Sequence, residues 1–355
     1  MPRLTIDLKK IEENTRLVAG MLSPFNVRLV GVTKACLGNW HVAAAMVAGG
    51  AAALADSRAA SIARLRRHLP SVELQLLRVQ PGEEPAPVPA DLFFISSAAQ
   101  ARTATAPGGG ARRFILLVET GDGREGVLPE QAEAEISRLG ALPGAVAAGL
   151  ATNTACARGV LAPGEPLERF RKTAGLTAPP AVAGAPRPVI SAGGSGLLGL
   201  LQGGRQAGWL EEVFGWLTDL RSGEALLLGN IPAGGGGVAP LPGAHRDAFV
   251  LEAPALEVSD KGGRRQVLAG LGIQDIGAGK VTPVTPGLAA GTVTSDYLAL
   301  DGSELMGALP AVGEILGFIP SYYALLAAMT SPFVEKVLVG AGQAASVALG
   351  SQRLG

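Results

Sequence analysis

Eight short runs of apolar, often β-branched residues recur down the first two-thirds of the chain, at positions 27–33, 51–55, 72–79, 91–96, 114–119, 146–152, 188–191 and 217–220. Each is separated from the next by enough chain for a crossover helix. Several spacers, such as 57–68, 129–139 and 167–177, have helical composition. Strand–helix alternation of this kind builds a parallel sheet, because parallel neighbours can be joined only by a crossover. Eight units can close into a (β/α)8 TIM barrel. An open doubly wound sheet is the competitor, but no GxGxxG follows the first run. A helix is expected ahead of the barrel, where Leu8, Ile11, Val18, Met21 and Leu22 recur at helical spacing.

After Gly229 the pattern changes. Residues 233–242 form a Gly/Pro-rich connector with four consecutive glycines, and beyond it 248–258, 266–271, 292–300 and 314–319 alternate like antiparallel strands. The expected fold class is therefore α/β, with a TIM barrel over 1–234 followed by a smaller, mainly β C-terminal domain over 235–355. The 355-residue length suits that pair of domains, and 48% apolar content supplies a large core.

A formal net charge of zero with only 17% charged residues leaves no basic excess for a nucleic-acid partner. The opening Met1-Pro2-Arg3-Leu4-Thr5-Ile6-Asp7 lacks the layout of a signal peptide, and no apolar run is long enough for a membrane span. Cys36 and Cys156 lie far apart without metal-ligand spacing and read as reduced thiols. A soluble, cytoplasmic protein is expected.

In such barrels the chemistry sits at the C-terminal ends of the strands, which here means Lys34, Asp56, Ser96, Glu119, Asn153, Ser191 and Arg221. Lys34 ends the apolar run Val30-Gly31-Val32-Thr33, where partial desolvation would lower its pKa and free the amine to attack an aldehyde. The plainer alternative is a strand-end lysine that reaches solvent. The loop Ser191-Ala192-Gly193-Gly194-Ser195-Gly196 offers amides and a hydroxyl to a phosphate, or is a flexible turn. Arg221 suits a phosphate, a carboxylate or a ring nitrogen, or a rim ion pair with Glu224 or Asp219.

These and further segments, in the same order, resemble the alanine-racemase type of pyridoxal-phosphate (PLP) enzyme, fold type III. They are Asp7-Leu8-Lys9-Lys10-Ile11, Gly31-Val32-Thr33-Lys34, Leu54-Ala55-Asp56-Ser57-Arg58, the Glu119–Gly126 stretch, Thr152-Asn153, the serine/glycine loop, Arg221-Ser222-Gly223-Glu224, and Tyr323-Ala324-Leu325-Leu326. The resemblance runs from about residue 3 to 340 and is nearest to the alanine/ornithine racemase branch. It implies that Lys34 carries PLP as a Schiff base and acts as a base on one face of the substrate. Arg221 would face the pyridine nitrogen. Ser195, with the backbone of Gly194, Gly223 and Glu224, would hold the phosphate together with Tyr323. Asn153 falls where alanine racemases place a histidine stacked on the ring, and Arg124 matches an arginine near the phenolic oxygen and substrate carboxylate. Asp56 and Ser191 complete the expected cofactor set.

The implied activity is amino-acid racemisation, with ornithine, lysine or alanine as substrate, in a homodimer whose subunits share active sites. One departure stands out. Alanine racemases carry a catalytic tyrosine in a Gly-Tyr-x-Asp segment, and the matching Leu271-Gly272-Ile273-Gln274-Asp275 has Ile273 there. Asp275, Tyr322, Tyr323 and Cys36 are the available substitutes, with Asp275 and Tyr322 the expected second catalytic groups. The alternative is a one-sided reaction on the same cofactor, such as decarboxylation, aldol cleavage or epimerase-like chemistry.

Overall fold

The computed structural model describes residues 1–79, 88–105, 110–154, 164–177, 187–202, 207–233, 237–261 and 264–340. It divides into two compact units. One contains residues 14–34 and 38–244, and the other contains 1–13, 35–37 and the chain from His245 onward. Cys156 lies outside the described residues.

The first strand, β1 (Arg3–Asp7), belongs to the second unit. The larger unit is a closed parallel barrel of β2 (Arg28–Val32), β3 (Ala53–Asp56), β4 (Glu73–Leu76), β5 (Leu92–Ile95), β6 (Arg112–Leu117), β7 (Ala145–Asn153), β8 (Val189–Gly193) and β9 (Asp219–Ser222). These strands coincide with the eight apolar runs. Their near-continuous apolar character has a simple cause: a parallel strand in a barrel is buried on both faces, inside by the packed lumen and outside by helices. All four residues of β3, β5 and β9 are buried. One core cluster joins Leu92, Phe94, Ile115, Leu117, Ala148, Ala151 and Val189 across four strands, while Val30, Val32, Ala53 and Ala55 form another.

The barrel closes where β2 pairs with β9, with Arg28 opposite Asp219 and Gly31 opposite Ser222. At this seam the Arg28 guanidinium donates through Nε and Nη2 to the two carboxylate oxygens of Asp219, both at 2.9 Å. These bonds raise the already high pKa of Arg28. Asp219 is fully buried, so truncating Arg28 strands a buried charge with Gln75 Nε2, 3.4 Å away, as its remaining side-chain donor. Arg28→Ala is therefore expected to cost roughly 3 kcal/mol of unfolding free energy, measured by urea titration. A loss below about 1 kcal/mol, the range of an exposed pair, would show that the seam pair is solvated.

The boundary between the units falls at Ala244/His245, later than the expected 234/235. On either side of residues 234–236, β10 (Asn230–Pro232) and β11 (Val238–Pro240) pair antiparallel, with Ala233 N–H donating to Gly237 O at 2.9 Å, and both strands belong to the barrel unit.

The second unit is an eight-stranded, mainly antiparallel sheet. Its strands are β1, β12 (Phe249–Lys261), β13 (Arg264–Ala269), β14 (Val281–Pro283), β15 (Ala289–Val293), β16 (Leu298–Asp301), β17 (Ile315–Pro320) and β18 (Glu335–Val339). β1 joins it because Leu4 and Ile6 alternate with polar neighbours and are fully buried. It pairs antiparallel with β12 and parallel with β18. The single strand expected over 292–300 is two: β15 and β16 pair across a turn in which Thr294 N–H donates to Tyr297 O. Ser295 and Asp296 make the turn, and these short polar residues favour a reversal over a continuous strand. No helix of the described residues is long and apolar enough to cross a membrane.

Candidate active site at the barrel mouth

Lys34 is half-buried and opens a short 3-10 turn directly after β2. The turn is anchored on β3: Thr33 N–H donates to Ala55 O at 2.9 Å, and Thr33 Oγ1 donates to Asp56 Oδ2 at 2.7 Å. The other Asp56 oxygen accepts Arg58 N–H at 3.0 Å. Burial pushes the Asp56 carboxyl up, and the hydroxyl and amide donors pull it back. Asp56 thus holds the backbone around Lys34 and Arg58.

Arg221 is the centre of the mouth. It is only 4% exposed. Its Nη1 donates to Ser191 Oγ at 2.5 Å, and its Nη2 donates to Thr152 O at 2.8 Å and Asn153 Oδ1 at 3.1 Å. Its guanidinium carbon stands 5.0 Å from the Phe94 ring centroid. Asp219, one of the two carboxylates considered for Arg221, pairs with Arg28. Gly193 makes this packing possible: a Cβ there would sit 2.5 Å from Arg221 Nη2 and closer still to Asn153 Oδ1.

Asn153 faces the other way as well, donating through Nδ2 to Glu125 Oε1 at 3.0 Å. Glu125 Oε1 also lies 3.3 Å from Arg124 Nη2, and Arg124 Nε donates to Asp122 Oδ2 at 2.6 Å. Glu119, a strand-end candidate, shapes the loop that presents these residues. Its carboxylate accepts the amides of Gly121, Gly123 at 2.8 Å and Arg124 at 3.1 Å. Gly126 closes the loop at φ +113°, where any side chain would strike the backbone at Glu119.

Two short turns follow β8 and β9, at Ser195–Leu201 and Glu224–Leu228. The first amides of such turns have no partner within them. Ser195 Oγ bridges the turns, 2.8 Å from Ser222 Oγ and accepting Ala225 N–H at 3.2 Å. Gly194 departs from expectation, because its N–H donates to Arg221 O at 3.0 Å and is committed to the barrel. Gly223 lies against β2, where a Cβ would come 3.1 Å from Val32 O. This places the second turn beside the strand that ends in Lys34. Burial raises the Glu224 carboxyl above its ordinary range.

The remaining candidates belong to the second unit. Asp275 is buried within the short helix Ile273–Ile276, and its Oδ2 accepts Gly272 N–H at 2.9 Å. Burial raises its pKa. Ile273 is 50% exposed. Tyr322 and Tyr323 begin the helix Tyr322–Thr330, capped by Ser321 Oγ, with their rings edge to face at 6.0 Å. Tyr322 is half-buried and Tyr323 is exposed.

A closed parallel barrel with a lysine, a buried arginine and two short turns at its C-terminal mouth, in one chain with an antiparallel β unit, has the architecture of the alanine racemases. Solved alanine racemases from E. faecalis (TM-score 0.70, 18% identity, 95% of this chain and 98% of that one) and Corynebacterium glutamicum (0.69, 20%, 95% and 99%) share this fold. The family model for the alanine racemase N-terminal domain matches residues 6–205, and the chain belongs to that family. It is also similar along its length to a lysine racemase from Thermotoga maritima, 29% identical over 95% of this chain and 98% of the relative. An ornithine racemase from Acetoanaerobium sticklandii is 25% identical over 95% and 99%.

Thr152, Gly193 and Ser222 stood in the motifs without a role of their own; Gly193 and Ser222 end β8 and β9, and Thr152 lies one residue before the end of β7. Glu125 stood within the quoted Glu119–Gly126 motif, and its charge on a loop at the mouth was the available signal.

Proposed function

We propose that the protein is a PLP-dependent racemase of a basic amino acid, lysine or ornithine, with Lys34 as the cofactor's lysine. The observation that carries this reading is the Arg221 cluster. A buried guanidinium is held at the barrel mouth by Ser191, the Thr152 carbonyl and Asn153, beside the strand that ends in Lys34. The whole-length similarity to lysine and ornithine racemases supports the substrate class.

The residues present fit PLP. The cofactor needs an amine, a phosphate cradle and a group against its ring nitrogen. The half-buried Lys34, the Ser195 hydroxyl with the opening amides at Ser195, Gly223 and Glu224, and Arg221 supply these in chemistry and in order around the barrel. Asn153 and Arg124 would stand beside the ring and the substrate carboxylate, and Tyr323 would add a phosphate contact. Bound PLP supplies an electron sink that acidifies the substrate Cα–H. Arg221 holds its proton far more tightly than a ring nitrogen could take it, which restrains that sink and favours reversible proton transfer at Cα. The Lys34 amine would take or return the proton on one face of the substrate.

Racemisation requires a second acid on the opposite face. Ile273 cannot transfer a proton. Asp275, whose Oδ2 accepts Gly272 N–H, and Tyr322 are the two expected groups. The replacement of the tyrosine favours one competing reading, a one-sided reaction, and a D-threonine aldolase from Filomicrobium marinum shares the fold (TM-score 0.72, 20% identity, 96% of this chain and 92% of that one).

Cα exchange in deuterated water, run separately with D- and L-lysine and D- and L-ornithine, separates the readings. Deuterium in both enantiomers with interconversion is expected, from a preparation that sediments as a dimer. Exchange of one enantiomer with retained configuration would overturn racemisation and leave the Lys34 assignment standing.

A further inference from the structure

Glu125 is used by none of the roles above, yet it ties the mouth together. Its Oε1 accepts Asn153 Nδ2 at 3.0 Å and lies 3.3 Å from Arg124 Nη2, and its Oε2 accepts Arg78 Nη1 at 3.2 Å. The carboxylate is 19% exposed, so these contacts are partly shielded from water.

We propose that Glu125 is a positioning residue that acts through Asn153, fixing the amide oxygen toward Arg221 and so setting the guanidinium against the cofactor ring. The inference rests on the PLP reading for its functional meaning and on hydrogen-bond chemistry for its geometry. A primary amide has a donor end and an acceptor end, and by itself either could face Arg221. A guanidinium has only donors, so it accepts no contact from the NH2 end. An ionised carboxylate has only acceptors and therefore selects the NH2 end of Asn153. With Glu125 on one side and Arg221 on the other, just one amide orientation satisfies both.

The chain of contacts runs from a charged loop residue to a buried cation through a single neutral side chain. Arg78 Nη1 and Arg124 Nη2 stand at the same carboxylate, so Glu125 is met by donors from three side chains. Remove the carboxylate and the NH2 end of Asn153 loses its acceptor, so the amide is held from the Arg221 end alone. The Asn153 oxygen is then less firmly set against Arg221 Nη2.

The test is a double-mutant cycle with Glu125→Leu and Asn153→Ala, read by PLP affinity of the apoprotein and by the visible spectrum of the holoenzyme. Glu125→Leu is expected to weaken PLP binding roughly tenfold and to shift the spectrum when Asn153 is present, and to do neither in the Asn153→Ala background. Glu125→Gln, which retains an oxygen for Asn153 Nδ2, is expected to recover most of the affinity. A crystal structure of the Glu125→Leu apoprotein reads the geometry with no cofactor involved: the Asn153 amide is expected to be less firmly set against Arg221 than in the wild type. Equal losses in both backgrounds, or an unmoved amide and unchanged affinity in a folded variant, would overturn the proposal. Failure of wild-type protein to bind PLP would instead overturn the cofactor reading, with the crystal structure still deciding the role of Glu125.

Discussion

Replacing Lys34 with alanine is expected to lower kcat by about 1,000- to 10,000-fold and to abolish covalent attachment of the cofactor. The magnitude follows from the two roles assigned to one amine, since a positioned general base is worth about 100- to 10,000-fold and its loss here removes the covalent anchor as well. Folding should survive, because the turn after β2 that carries Lys34 is anchored by Thr33 on Ala55 and Asp56. The measurement pairs racemase assays with borohydride reduction of wild-type holoenzyme and peptide mapping, in which label should appear on Lys34 alone. Label on Lys280 or another lysine, or near-wild-type turnover in Lys34→Ala, would remove the central assignment.

The second large effect is expected at Arg221. In Arg221→Glu the five donors of a guanidinium are exchanged for a carboxyl facing the Thr152 carbonyl and Asn153 Oδ1, both of which are acceptors. In that buried setting the new group is driven toward its protonated form, which then can offer a proton to the ring nitrogen that Arg221 withholds. Turnover should fall by about 100-fold or more, and substrate should produce a new absorbance at long wavelength that the wild type lacks. Arg221→Lys, which retains charge but not the fork, is expected to lie between the two. Wild-type spectra and rates in Arg221→Glu would mean that the arginine only packs the mouth on Phe94.

Much of the architecture was legible along the chain. Each barrel strand announced itself as an apolar run because burial on both faces suppresses alternation, and eight such runs with crossovers leave few closures other than a barrel. The strand-end rule then selected Lys34, Asp56, Asn153, Ser191 and Arg221 without any contact information. Motif order added Arg124, Ser195 and Gly223. A run of glycines reads the same whether it links domains or joins paired strands, and the pairing of Asn230–Pro232 with Val238–Pro240 was not legible in it.

The contacts within the mouth are ones that no local pattern encodes. Arg221 meets Thr152 and Asn153 across 69 and 68 residues of chain, and Asn153 meets Glu125 across 28. The sequence by itself determined which residues stand at the strand ends, because periodicity and burial are local properties of a strand. Only the tertiary structure decided which of them are partners, since closing the barrel brings remote strand ends together and the match of donors to acceptors there sets each side chain's role. That is how Asp219 came to be the mate of Arg28, while Arg221 meets Ser191, Thr152 and Asn153.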